Sequence, residues 1–183
     1  MILQKIKTPG LSHLSYLVGA GGQAAVIDPR RDCEIYVEKA RAEGLKITHI
    51  FETHRNEDFV SGAPVLADLT GAEVFHGPNA DGEVVYAKTT REGECHRIGQ
   101  LELRVLETPG HSPESISIVV YDLAESTDKP HAVLTGDTLF IGAGGRPDLR
   151  ASLGWTADEL GRLLYDSLQQ KLLPLPDETL VYP

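Results

Sequence analysis

The chain is organised around the stretch Phe51-Glu52-Thr53-His54-Arg55-Asn56-Glu57-Asp58-Phe59. An apolar run ends at Phe51 and a helical pattern begins near Asp58, so a buried strand should end where this polar cluster begins. Three side chains of the cluster, those of His54, Glu57 and Asp58, can hold a metal ion or a proton. Because loops at strand ends often carry function, this loop is the first candidate for a functional site.

The composition predicts a single acidic domain with a sizeable core. The chain has 183 residues, 41% of them hydrophobic, and 27 acidic residues against 17 basic residues give a net charge of −10. Without a cluster of Lys and Arg, no nucleic-acid partner is expected. No apolar run approaches the roughly 20 residues that span a bilayer, and no secretory signal is visible, so no membrane association is expected. Cys33 and Cys95 form no CxxC motif, which favours a reduced, cytoplasmic protein.

Alternating apolar patterns predict the α/β (α+β) class, in which sheets pack against helices, with two sheets back to back as one arrangement that fits. One hairpin should turn at Gly19-Ala20-Gly21-Gly22, and another at Gly99-Gln100 between strands over 95–98 and 101–107. Further strands are expected over 46–51, 73–75, 115–121, 131–134 and 179–182. Residues 135–150 form a long glycine-rich segment of little periodicity, which is more often functional than not.

Helix start and stop signals locate three helices. They are expected over 32–42, 58–69 and 156–173. Asp32 is the candidate N-cap of the first helix. Pro64 lies inside the second pattern, so that helix should start late or kink. Thr156 and Glu159 form a capping-box pattern at the start of the third.

His54, His111 and Asp137 share a sequence context that suggests a metal site. Each follows a β-like apolar run by a few residues and lies in a loop with glycine or polar neighbours. Two imidazoles and one carboxylate on one face of a cation are typical of non-haem Fe(II) oxygenases, and zinc can use the same set with water as the fourth ligand. Taken singly, each histidine could instead be an ordinary hydrogen-bonded residue, and Asp137 an ordinary turn residue.

These loops resemble a known family. The segments 54–59, 108–111 and 136–138 resemble successive metal loops of the metallo-β-lactamase superfamily, whose first loop usually reads His-x-His-x-Asp-His. Further motifs resemble its persulfide (sulfur) dioxygenase branch, in which rhodanese domains often follow the metal domain: Asp28-Pro29-Arg30, Glu52-Thr53-His54, Asp58-Phe59-Val60-Ser61-Gly62, Gly136-Asp137-Thr138-Leu139-Phe140 and Gly145-Arg146-Pro147-Asp148-Leu149. The resemblance implies an αββα sandwich over residues 1–183, with its C-terminal part truncated.

Two departures from the family pattern bear on the number of metal ions. Asn56 stands where the second histidine of the first loop is usual, and Phe59 stands where the last one is usual. Dinuclear zinc relatives such as glyoxalase II use both of those histidines as ligands. The resemblance therefore implies a single Fe(II) per chain, bound by His54, His111 and Asp137, with zinc as the alternative ion.

The resemblance also suggests roles for neighbouring side chains. Asn56 is expected to orient the ligands by hydrogen bonds, and Asp58 either acts as a base or caps the following helix. Glu57 is expected to be solvated. Arg146 either holds a carboxylate of a thiol tripeptide in a bidentate pair or fixes its own loop by pairing with Asp148.

Three functions follow as hypotheses. The first is an Fe(II) dioxygenase that oxidises a thiol persulfide, with glutathione persulfide as the default, to sulfite and free thiol with O₂. The second is a mononuclear zinc hydrolase of thioesters or lactones, with Asp58 as its base. The third is a non-catalytic module of the same fold.

The chain as a whole is expected to be one domain and a piece of a longer protein. A rhodanese domain following Pro183 would fit the resemblance. A homodimer and a monomer both remain compatible with the sequence.

Overall fold

The polar loop that begins after Phe51 lies at the end of a strand in a six-stranded sheet. In the computed structural model, which describes residues 1–55, 59–78, 82, 84–150 and 153–183, the strands of this sheet lie side by side in chain order. They are β1 (Ile2–Lys7), β2 (Leu14–Ala20), β3 (Gln23–Ile27), β4 (Lys46–Glu52), β5 (Glu73–His76) and β6 (Lys88–Thr89). The first three pair antiparallel, and β3 to β6 pair parallel.

A second sheet of five strands has the order β13-β10-β9-β8-β7. Its strands are β7 (Cys95–Ile98), β8 (Leu101–Glu107), β9 (Ile116–Asp122), β10 (Ala132–Leu134) and β13 (Leu180–Tyr182). Only the β10–β13 pair is parallel. A small hairpin of β11 (Leu139–Phe140) and β12 (Ala143–Gly144) follows β10, within the segment predicted to be irregular.

The two sheets pack face to face around one apolar core, to which both contribute. Side chains such as Phe51 and Phe75 from the first sheet meet Leu103 and Ile118 from the second, all in one buried cluster. Burial of apolar surface of this kind is the main force that holds the sheets together. Along the strands, the alternate side chains point away from this core and pack against helices. This alternation is expected of strands that are covered on both faces.

Three helices cover the outer faces of the sheets. They are α1 (Glu34–Ala42), α2 (Ala63–Thr70) and α3 (Ala157–Ser167), which continues as a π-helical turn at Leu168–Leu172. The first two pack on the six-stranded sheet, and the π-helical turn packs on the other. The αββα sandwich that the resemblance implies is therefore confirmed.

The capping box at Thr156 and the hairpin turn at Gly99-Gln100 are confirmed. The prediction of Asp32 as an N-cap is wrong, because Cys33 occupies that position and the Asp32 carboxylate pairs with Arg30 at 3.7 Å. The second helix starts late, as its proline required, with Gly62 as N-cap. Asp58, which was expected to act as a base or to cap this helix, lies outside the described residues. Within the described ranges, no helix is long and apolar enough to cross a bilayer.

Candidate metal centre

Three loops at one edge of the sandwich bring His54, His111 and Asp137 together. His54 follows β4, His111 lies between β8 and β9, and Asp137 follows β10. Their ligand atoms all lie within 4.8 Å of one another. Nε2 of His54 is 3.8 Å from Oδ2 of Asp137, and Nε2 of His111 is 3.5 Å from the same oxygen. The structure thus brings together the three residues that the sequence suggested as metal ligands.

A chain of hydrogen bonds behind His54 determines which ring nitrogen faces the site. The Thr53 hydroxyl donates to Oδ2 of Asp28 at 2.8 Å and lies 2.9 Å from Nδ1 of His54. Since that hydroxyl proton is already given to Asp28, Nδ1 must carry the proton and donate to Thr53. The unprotonated Nε2 of His54 then faces Asp137 and His111, as a metal ligand must.

A different partner orients the His111 ring so that its Nε2 also faces the site. Its Nδ1 donates to the backbone carbonyl of Arg146 at 3.0 Å, which leaves Nε2 unprotonated and turned toward Asp137. Helix α3 supports this loop from outside, because Ser167 donates to the carbonyl of Pro109 at 2.8 Å.

Two glycines allow the ligand loops to approach one another. A Cβ atom on Gly136 would lie 2.4 Å from Oγ1 of Thr53, and a Cβ on Gly145 would lie 1.8 Å from the carbonyl oxygen of Asp137. Gly136 also has a φ of 48°, a left-handed conformation that favours glycine. The glycines of the 135–150 segment therefore permit the contacts that define the site.

The electrostatics of the site favour neutral imidazole at His54. Burial, followed by the proximity of His111, lowers the pKa of His54 from 6.5 to about 3. The opposite shift occurs at Asp28, where burial raises the pKa from 3.8 to about 7 against the hydrogen bonds from Thr53. Asp28 is one of the residues that line a cavity, and the residue as a whole is partly accessible to solvent.

The donor set fits a metal ion with nitrogen and oxygen ligands. Nε2 of His54 is buried and has no hydrogen-bond partner among the described residues, which is costly unless another ligand satisfies it. Two neutral imidazoles and one carboxylate suit either Fe(II) or Zn²⁺. The residues present therefore fit the implied metal.

Phe59 stands where the resemblance expects the last histidine of the first metal loop. Phe59 is partly buried, and its ring centroid lies 4.0 Å from that of His13. His13 cannot replace the missing ligand, because Nδ1 lies 2.7 Å from the Thr8 hydroxyl and Nε2 lies 3.0 Å from the Asp28 carbonyl oxygen. In the part of the chain that the structure describes, the three-residue set is the sole cluster of this kind.

The other predicted site residues have mixed outcomes. Arg146 makes a bidentate pair with Asp148, at 3.1 Å and 2.7 Å, so its guanidinium is engaged within its own loop. Asn56 and Asp58 lie outside the described residues, as does Glu57. Their expected roles remain predictions.

From the sequence, Asp28 and Thr53 were quoted only as motif residues, and their role, together with that of Glu114, in holding the ligand loops in place was missed. Thr53 and Asp28 form the hydrogen-bond chain behind His54, and Glu114 contacts the backbone just after it. Asp28 lies at a strand end and has a positive φ of 51°. The sequence alone does not reveal this conformation. Non-glycine residues in that conformation are uncommon and concentrate at functional sites.

Comparisons with known proteins identify relatives of this chain. A family model described as the metallo-beta-lactamase superfamily matches residues 8–183. A hydroxyacylglutathione hydrolase from Polaromonas sp. is 31% identical over 188 residues, which cover 100% of this chain and 66% of that protein. The mouse mitochondrial persulfide dioxygenase ETHE1 is 28% identical over 195 residues, which cover 100% of this chain and 67% of that protein.

A solved structure shows the same fold at closer identity. ETHE1 from Myxococcus xanthus superposes with a TM-score of 0.84 at 34% identity, covering 100% of this chain and 75% of that one. The chain spans between 57% and 66% of the length of three hydroxyacylglutathione hydrolases that it matches. Relatives thus include both hydrolases and dioxygenases, so the comparisons support a metal-dependent enzyme fold without selecting one reaction.

Proposed function

This chain belongs to the metallo-β-lactamase superfamily, and on that premise we propose that it is an Fe(II)-dependent dioxygenase of a low-molecular-weight thiol persulfide. The observation that carries the proposal is the three-donor set of His54, His111 and Asp137 beside Phe59. The phenyl ring stands where dinuclear hydrolases need a further imidazole. A single ion held on one face favours oxygen chemistry, because open positions remain for a sulfur ligand and O₂.

The two histidines and Asp137 would hold the iron. When bound, Fe(II) would supply the one-electron chemistry by which O₂ can react with a closed-shell persulfide. The proposed overall reaction converts R–S–SH, O₂ and H₂O into R–SH, sulfite (SO₃²⁻) and two protons. The outer sulfur is oxidised, O₂ is reduced, and the S–S bond breaks with release of the thiol.

A cavity next to the ligand set offers a place for the thiol. Its volume is about 340 Å³, and its walls include Leu14, Phe59 and Phe140, with His54 and Asp137 at one side. Apolar walls around a few polar groups are typical of small-molecule sites, and they would exclude water from the outer sulfur. We propose this cavity as the site of the persulfide, with glutathione persulfide as the default substrate.

Metal analysis together with O₂ uptake tests this function. Protein purified without added metal should contain about one iron per chain and consume O₂ when glutathione persulfide is added. Zinc as the bound metal, thioester cleavage and no persulfide-dependent O₂ uptake would refute the dioxygenase. Reconstitution with Fe(II) and with Zn²⁺ in parallel separates the reaction from the metal acquired during expression.

The alternative is a mononuclear zinc hydrolase of thioesters or lactones. The identity of 31% to the Polaromonas hydroxyacylglutathione hydrolase supports it, beside 28% to the mouse dioxygenase and 34% to ETHE1 from Myxococcus xanthus. Asp58 would be its base, although it lies outside the described residues. Turnover of S-lactoylglutathione by the zinc form, at rates well above the iron form, would support this alternative.

Lys7 offers a test of substrate charge. It lines the cavity that also holds His54 and Asp137, and it is exposed to solvent. Lys7→Met is expected to raise KM for glutathione persulfide several-fold and to leave kcat nearly unchanged, because an exposed ion pair contributes at most about 1 kcal/mol. Lys5→Met, on the same strand but outside the cavity lining, is the matched control and should have no effect.

A further inference from the structure

Two charged side chains are buried close to the proposed metal centre and take no direct part in it. Glu114 is 4% exposed and Arg150 is 6% exposed, although charged residues are rarely buried unless paired. Nη2 of Arg150 lies 3.7 Å from Oε1 of Glu114. Glu114 lies three residues after His111, and Arg150 lies on the segment that follows Asp137. The pair therefore connects two of the ligand loops.

The same pair binds the third ligand loop through its backbone. The N–H of Arg55 donates to Oε1 of Glu114 at 3.0 Å, and Nη2 of Arg150 donates to the carbonyl of Arg55 at 2.6 Å. Arg55 is the residue directly after His54. Both backbone groups on one side of that ligand are thus held by a buried ion pair.

The residue before His54 is held independently. The N–H of Thr53 donates to Oδ1 of Asp28 at 2.7 Å, and the carbonyl of Thr53 accepts from the N–H of Ile116 at 2.8 Å. The His54 imidazole therefore rests on a backbone fixed on both sides. The contact through Glu114 and Arg150 joins it to the loops of both other ligands.

We propose that the Glu114–Arg150 pair positions the three ligand loops relative to one another and so determines the metal affinity of the site. The inference rests on the proposed function in requiring that the site binds a metal. Glu114 and Arg150 are positioning residues, because neither contacts the cavity that would hold the substrate. Orienting groups beyond the ligands commonly contribute 10–100-fold to metal affinity.

The pair can be tested by separating its effect on folding from its effect on metal binding. Glu114→Gln keeps an acceptor for the Arg55 N–H but removes the carboxylate charge that pairs with Arg150. Arg150→Met removes the donor to the Arg55 carbonyl, and the double variant removes both charges. Each variant is prepared without metal, its unfolding is measured in denaturant, and its affinity for Co²⁺ is measured by competition with a chromophoric chelator, together with the Co²⁺ absorption spectrum.

We expect both single variants to bind Co²⁺ about 10–100-fold more weakly, with an altered spectrum. The double variant should recover part of the folding stability, since it removes both buried charges of the pair. Its Co²⁺ affinity should nevertheless stay low, because the Arg55 carbonyl still lacks its donor. If a single variant does not fold, the double variant and Arg150→Lys, which retains a cation, provide the same comparison.

Asp122→Asn is the matched control. The Asp122 carboxylate is also buried and paired, with the N-terminal ammonium at 3.5 Å, but it lies at the far end of β9. Its loss should reduce stability and leave Co²⁺ affinity unchanged. Wild-type affinity and spectrum in the folded Glu114 and Arg150 variants would overturn this inference alone, whereas failure of the wild type to bind any metal would overturn the proposed function and this inference with it.

Discussion

The His111→Ala variant is expected to bind Fe(II) at least about 1,000-fold more weakly than the wild type and to lose persulfide-dependent O₂ uptake. The apparent binding free energy of a structural metal is of order 10 kcal/mol or more and is shared among a few ligands, so one ligand contributes several kcal/mol. His111 is buried, and its Nε2 faces the carboxylate of Asp137 at 3.5 Å. No other described imidazole is placed to take its position, because both ring nitrogens of His13 are engaged.

The measurement is iron content and affinity, followed by thermal unfolding with and without metal. A ligand that binds only the folded state raises the melting temperature, so metal should stabilise the wild type and have no effect on His111→Ala. His131→Ala is the control. His131 directly precedes β10, outside the site, and its backbone N–H donates to the carbonyl of Val120, so this variant should keep full metal binding. Undiminished iron affinity in His111→Ala would show that the three-residue set is not the metal centre.

Local signals explain why much of the fold could be predicted. The turn at Gly99-Gln100 and the capping box at Thr156 and Glu159 depend on residues close in sequence, and both occur where expected. Strand β1 was not predicted. Of its six residues only Ile6 is buried, so it lacks the alternation that marks a half-buried strand.

The error in predicting Asp32 as an N-cap also has a physical cause. Propensity ranks aspartate among the best N-caps, but the Asp32 side chain is 78% exposed and lies beside Arg30, while the helix begins one residue later. Because Arg30 and Asp32 are two residues apart, this exposed contact is local, and it turns the carboxylate to another partner. A tertiary contact accompanies the late start of α2, since the N–H of Gly62 donates to the carbonyl of Pro29 at 2.8 Å.

The ligands could be predicted because each follows a strand, and strand ends meet at a sheet edge. The supporting residues could not. Glu114 and Arg150 are charged, and a charged residue is by default assigned to the surface. Their burial depends on contacts with Arg55, which is 59 residues from Glu114 and 95 from Arg150 in the chain. Such contacts become visible only when the fold places the loops together.

Asp28→Asn is expected to weaken metal binding about 10–100-fold, although Asp28 contacts no metal ligand directly. Above about pH 7 the ionised Asp28 carboxylate can only accept, so the Thr53 hydroxyl donates to it and accepts from Nδ1 of His54. The amide of asparagine can donate to the Thr53 oxygen and so free its proton to point at Nδ1. That reversal favours the tautomer with a proton on Nε2, which cannot bind a metal. Asp32→Asn, an exposed carboxylate nearby, is the control and should leave Co²⁺ affinity unchanged.

The same substitution should change how stability depends on pH in the metal-free protein. Because the folded pKa of Asp28 is raised, its contribution to stability is fully present below about pH 4 and is lost as the pH rises toward 7. The rise in the pKa of Asp28 from 3.8 to about 7 corresponds to a stability contribution of at most about 4 kcal/mol. The contribution is smaller to the extent that solvent reaches the carboxyl group through the cavity. The stability of Asp28→Asn relative to wild type should therefore increase with pH across this range.

His54 acts in the opposite direction and must be separated from Asp28. Its lowered pKa means that the unfolded chain binds more protons between about pH 3 and 6.5, so His54 makes the folded state more stable as pH rises. In the wild type the two slopes oppose each other, and in the difference between wild type and Asp28→Asn the His54 contribution cancels. Denaturant unfolding of both metal-free proteins from pH 4 to 8 measures that difference. A difference that does not change with pH, together with undiminished Co²⁺ affinity, would mean that Asp28 neither titrates in this range nor controls the His54 tautomer.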